Sequence, residues 1–175
     1  MNYFKNIILI FVFCFICLAI IGYFLPTEYN VTRSVIIDST PQEIHKFTGD
    51  LSNWDKWSPW IENDPTLKVK IGKNSKGVGA SQSWVGEDGS GSLVFTSTNP
   101  NKGLEYDLEF NQGQFRSKAG FTYLEKGDQT EVVWSMNGNV DTPIIGGFFA
   151  RKMDTFVGPD FEKGLKKLKS VVENR

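Results

Sequence analysis

Apolar residues fall into three regimes along this chain. The first is a solid block: Ile7 to Leu25 reads IILIFVFCFICLAIIGYFL, 19 residues without a charge. As a helix rising 1.5 Å per residue it would span about 28 Å, close to the hydrocarbon thickness of a bilayer. Tyr3 and Phe4 before it, and Tyr23 and Phe24 at its end, suit the two interfaces, and Pro26 stops it. The competing reading is a cleaved signal peptide, which calls for a shorter apolar core and small residues at the exit. Bulky Tyr23, Phe24 and Leu25 stand there instead. The block therefore reads as a transmembrane helix over 7–25, with a tail at 1–6 and a short linker at 26–30. Lys5 and the α-amino group precede it and Glu28 follows it, so the positive-inside rule puts the N-terminus in the cytoplasm and the rest outside the cell membrane.

The second regime alternates with period 2. Leu104-Glu105-Tyr106-Asp107-Leu108-Glu109-Phe110 points apolar side chains one way and acids the other, the mark of a strand with one wet face. Thr130 to Met136 alternates likewise, with Val132, Trp134 and Met136 together. Val31 to Ile37, Leu67 to Ile71, Ala80 to Val85, Leu93 to Thr98 and Phe115 to Leu124 supply further strands. Glycine-bearing turns separate them: Glu87-Asp88-Gly89, Asn101-Lys102-Gly103, Asn111-Gln112-Gly113 and Lys126-Gly127-Asp128. Such short connections predict an antiparallel meander.

The third regime is helical. Thr40-Pro41-Gln42-Glu43 combines an N-cap, a first-turn proline and a capping-box glutamate, opening a short helix to about Thr48. From about Ile144 to Val172, Phe149, Met153, Phe156, Leu165, Leu168 and Val172 recur as one amphipathic stripe, with a kink or break expected at Gly158-Pro159. An antiparallel sheet with one wet face needs a cover on the other. The final helix is the only element long and apolar enough, so the fold class is α+β, a curved sheet wrapped around a long C-terminal helix.

Charge and composition narrow the chemistry. With 19 Lys+Arg against 20 Asp+Glu, nothing points to a nucleic-acid partner. Lys5 is the only charged side chain before residue 26, so the domain at 31–175 is close to neutral. Cys14 and Cys17 are both in the apolar block and read as small fillers, so the domain has no thiol for a disulfide, a zinc site or a nucleophile. The single histidine, His45, is expected to face water from the short helix. Glu105, Asp107 and Glu109 read as solubility charges. Glu62 and Asp64 are weak candidates for proton transfer or cation binding. Lys163, Lys166, Lys167 and Lys169 read as a solvated helix face, with a clasp on anionic headgroups as the sharper alternative. Gly72 to Gly77 has a phosphate-loop outline, but Val78 stands where the lysine is needed. No cofactor and no metal site are expected.

Several stretches resemble one superfamily. Asp50-Leu51-Ser52-Asn53-Trp54-Asp55-Lys56-Trp57-Ser58-Pro59-Trp60, Asp64-Pro65, Gly77-Val78-Gly79-Ala80 with Trp84, and Val157-Gly158-Pro159-Asp160-Phe161-Glu162-Lys163-Gly164-Leu165 are similar to SRPBCC proteins, and within them to the polyketide cyclase/dehydrase and lipid-transport group. The resemblance covers roughly Val31 to Glu173. It implies a helix-grip fold of the START type with an internal cavity for apolar ligands, and it supplies no catalytic motif.

The inward positions name the lining expected for such a cavity: Trp84, Phe95, Tyr106, Leu108, Phe121, Tyr123, Trp134 and Met136 on the strands, faced by Phe149, Met153 and Phe156. Trp57 and Trp60, from the Trp54-x-x-Trp57-x-x-Trp60 cluster, are expected at its mouth; the plainer reading makes that cluster core. An empty void of about 300 Å³ would cost roughly 7 kcal/mol, so such a space is filled by rings or by a guest. The leading expectation is membrane-anchored binding of a small hydrophobic ligand, lipid-like or polyketide- or isoprenoid-like, for transport, sensing or sequestration. The alternatives are a cyclase- or dehydratase-type enzyme on an apolar substrate and a non-catalytic envelope protein that docks other proteins.

Overall fold

A computed structural model describes residues 2–87, 89–111, 113 and 115–174. Asp88 and Gln112, placed in turns by the sequence, lie outside the described residues. The apolar block forms α1 (Asn2–Phe24), which begins within the expected tail and ends just before Pro26. Its segment Tyr3–Phe24 is long and apolar enough to cross a membrane, a property shared by anchors and signal sequences.

The alternating segments become seven strands: β1 (Glu28–Ile37), β2 (Lys68–Ile71), β3 (Ser81–Gly86), β4 (Gly89–Asn99), β5 (Gly103–Phe110), β6 (Phe115–Lys126) and β7 (Gln129–Asn139). They form one antiparallel sheet in the order β1-β7-β6-β5-β4-β3-β2. A bulge between Phe95 and Ser97 shifts the register of β4, a device that bends and twists a sheet. Between β1 and β2 come α2 (Pro41–Thr48), a 3₁₀ segment (Leu51–Lys56) and α3 (Trp60–Asn63). The Thr40 hydroxyl caps α2 by accepting the Glu43 amide, as the capping box predicts.

The sheet grips α4 (Gly146–Glu173). This helix runs alongside β1 in the same direction: Gly147 abuts Leu25, Gly158 abuts Arg33, and Glu173 accepts the Asp38 amide at 2.8 Å. Arg33 locks the pair by donating to Asp154 and to Glu162, each at 2.7 Å. The break expected at Pro159 does not occur, since α4 is continuous through it. Proline removes one helical hydrogen bond there, while Phe161, Leu165 and Leu168 just beyond it are almost fully buried and hold the rod to the sheet.

Strand directions sort the connections by end. The β3–β4 and β5–β6 turns, the start of β1, the β7–α4 connection and the exit of α1 share one end of the sheet. The β4–β5 and β6–β7 turns, with the close of α4, occupy the other.

Candidate functional site

The inward face of the sheet follows from register. Tyr29, Val31, Arg33, Val35 and Ile37 of β1 share it with Val132, Trp134 and Met136 of β7, Ala119, Phe121 and Tyr123 of β6, and Leu104, Tyr106 and Leu108 of β5. Phe95 and Leu93 of β4 and Trp84 of β3 continue it.

At the middle of the grip, the space between sheet and helix is filled by aromatic rings. Trp134 lies flat on Phe161 of α4, centroids 4.0 Å apart, and stacks on Phe121 at 4.9 Å. Trp57 meets Trp134 edge-on at 5.5 Å and Phe121 at 5.8 Å, and Trp54 packs on Trp57 at 5.2 Å. Offset and edge-on contacts of this kind add roughly 0.5–1.5 kcal/mol per pair beyond burial. Each buried polar edge has a partner: the Trp134 indole donates to the Tyr106 hydroxyl at 2.9 Å, and the Trp54 indole to the Thr48 carbonyl at 2.8 Å. Burial pushes the Tyr106 phenol well above its ordinary value, so it stays protonated.

Of the predicted lining, Trp57, Phe95, Tyr106, Leu108, Phe121, Tyr123, Trp134 and Met136 are brought together as buried side chains packed on one another. Trp60, Trp84 and Met153 border that core and are partly buried, as are Phe110 and Val157. Trp84 lies over Gly91 and meets Phe110 at 5.8 Å; a Cβ on Gly91 would come within 2.3 Å of the Trp84 ring. Trp60 stands edge-on to Trp134 at 5.5 Å. These side chains are partly buried and pack against the edge of the core. Trp84 and Phe110 lie toward the end where α1 leaves. Two open depressions elsewhere, lined by Glu28, Asp107, Lys118 and Asn137 and by Ser97, Glu105, Thr122 and Ser135, lie on the outer, polar face of the sheet.

Phe149 and Phe156 are 51 % and 58 % exposed. At 100° per residue they sit about 160° and 180° around α4 from Leu165, so they turn away from the sheet. The single stripe read from the sequence is two: Ala150, Val157, Phe161, Leu165, Leu168 and Val172 form the packed one. Phe161 and Phe110 were missed. Phe110 continues the Leu104–Tyr106–Leu108 alternation, and Phe161 sits four residues before Leu165, so spacing alone reveals both.

The polar candidates resolve differently. His45 does not face water. It is half-buried, with Nδ1 3.0 Å from the Tyr123 hydroxyl and Nε2 3.0 Å from the Thr98 hydroxyl. The bent wall brings Tyr123 and Thr98 over α2, a contact that local sequence does not contain. Desolvation lowers the His45 pKa below 6.5. Glu62 is engaged by Lys167 and by Lys163 at 2.9 Å, which hold it below the ordinary carboxylate range and oppose a general-acid role. Lys169 donates to the Ile36 carbonyl at 2.8 Å. Three of the four late-helix lysines thus tie α4 to α3 and β1. Buried Asp64 accepts the Thr66 amide at 2.8 Å and shapes the turn after α3. No cluster of three or more metal-ligating side chains occurs among the described residues.

Comparison with known proteins agrees with this fold. Solved structures share the fold at low identity: CV1439 from Chromobacterium violaceum has a TM-score of 0.62 and 12 % identity, over 82 % of this chain and 96 % of that one. TTHA0849 from Thermus thermophilus has a TM-score of 0.57 and 19 % identity, over 83 % and 97 %. Ara h 8.0201 has a TM-score of 0.62 and 11 % identity, over 85 % and 99 %. No curated protein matches the chain significantly by sequence. The family model described as polyketide cyclase / dehydrase and lipid transport matches residues 28–173, nearly everything beyond α1, and the chain belongs to that family.

Proposed function

We propose that this protein holds a small hydrophobic molecule, lipid-like or polyketide- or isoprenoid-like, in a cleft that opens between Trp60, Trp84, Phe110, Met153 and Val157, while α1 anchors the domain in the cell membrane. The carrying observation is asymmetry. Rings fill the grip around Trp134, yet the apolar side chains Trp60, Trp84, Phe110, Met153 and Val157 beside it are only partly buried. Apolar surface left open beside a core is what a ligand site of this kind needs, with few polar groups to satisfy. The family description, which includes lipid transport, supports the same class of ligand. With the N-terminus cytoplasmic, as Lys5 favours, the cleft stands outside the cell membrane, close to the lipid phase into which such ligands partition. Transport, sensing and sequestration all use this arrangement.

The test is lipid extraction and native mass spectrometry of the full chain solubilised in detergent. An apolar adduct is expected on the wild type, with its occupancy cut at least several-fold by Met153→Glu, which places a charge on the cleft wall. A wild type without any adduct, offered lipid extracts and aromatic polyketides alike, would overturn the reading.

A further inference from the structure

The outward stripe of α4 has no counterpart in the ligand reading, and its position assigns it a partner. Ile145, Phe149 and Phe156 lie on the face opposite Leu165, and Ile144 and Phe148 flank its start; all five are at least 38 % exposed. The stripe begins against α1. A Cβ on Gly22 would meet the Ile144 carbonyl oxygen at 2.0 Å and the Phe148 ring at 2.8 Å. Gly22 lies two residues inside the end of α1, about 3 Å along the helix axis. When α1 spans a bilayer, the Ile144–Phe149 segment is therefore level with Tyr23 and Phe24, at the boundary of headgroups and hydrocarbon.

The backbone there is held in an unusual shape. Ile144, a β-branched residue, has φ of +70°, and the Ile145 amide closes a γ-turn onto the Pro143 carbonyl at 2.7 Å. Such a conformation is strained for a β-branched residue and persists only where its surroundings fix it. Here it projects two isoleucines outward where water would penalise them. Arg151 and Lys152, both exposed, follow one turn later, cations at the height of anionic headgroups. Bulky apolar side chains mixed with Lys and Arg are the composition of a segment that lies in the interface plane.

We propose that Ile144, Ile145, Phe148 and Phe149 dip into the leaflet beside α1. The domain is then seated on the bilayer at two points and held in one orientation, with the end that carries Trp84 and Phe110 turned toward the lipid. This rests on α1 being a membrane anchor, and the test separates the two.

Full-length protein lacking its cysteines (Cys14→Ser, Cys17→Ser) receives one reporter cysteine at a time, carries an environment-sensitive fluorophore there, and is reconstituted into phosphatidylcholine/phosphatidylglycerol vesicles with doxyl-labelled lipid. Reporters at Leu18→Cys in α1, and at Ile145→Cys and Phe149→Cys, are expected to blue-shift and lose emission to the doxyl groups. Lys102→Cys, at the far end of the sheet, is expected to keep its emission. Quenching at 18 with none at 145 and 149 overturns the seating while sparing the anchor. Quenching at none of the three overturns both. Energy transfer between labelled copies at 149 without lipid quenching assigns the stripe to a second copy and overturns the proposal.

Discussion

Trp134 shows how one residue sets what the grip can hold. Its ring is fully buried between Phe121 and Phe161, and its indole N–H is spent on Tyr106. Truncation would empty the centre of the stack. Trp134→Ala is expected to cost about 3–5 kcal/mol, read as a lowered denaturant midpoint, because large-to-small changes lose both transfer energy and packing. His45 gives a second prediction. Its folded-state pKa is lowered, so between that value and 6.5 the unfolded chain binds more protons than the native one. The His45 contribution to stability is therefore level above pH 6.5 and declines as pH falls below it. Urea unfolding on both sides of pH 6.5 checks this, and His45→Gln is expected to flatten that decline. Neither role is written in the neighbours of these residues. The histidine stands among Ile44, Lys46 and Phe47, and its two ring nitrogens face hydroxyls on strands distant in sequence.

At the scale of elements, strands were more legible than the helix. Period-2 alternation returns to the same face at every second residue without drift, and all seven segments named from it are strands. A helix accumulates 100° at each step, so a stripe traced over many residues drifts unless its phase is followed. Phe149 and Phe156 were thereby assigned to the face of Leu165, which they oppose. The second half of α4 lies close to the sheet because Gly164 gives the ring of Trp134 room: a Cβ there would meet it at 2.9 Å and Pro59 at 3.2 Å. Gly164→Val is expected to destabilise by about 1–3 kcal/mol through overpacking, measured by thermal unfolding, despite the better helix propensity of valine. The Arg33 clasp to Asp154 and Glu162 is partly solvated, so it fixes the register of α4 on β1 more than it adds stability.

For the whole molecule, composition and periodicity determined what kind of object this is. An uncharged 19-residue block, alternating strands between glycine turns and a long final helix leave few ways to bury apolar surface. Two things waited for the tertiary structure: how completely the rings fill the grip, and which face of the first turns of α4 remains open. Both depend on distances between residues remote in sequence: Trp57 against Trp134, Phe161 against Trp134, Gly22 against Ile144. A pattern along a chain states which side chains avoid water. Whether they do so against one another, a guest or a lipid surface is decided by the space left when sheet and helix close.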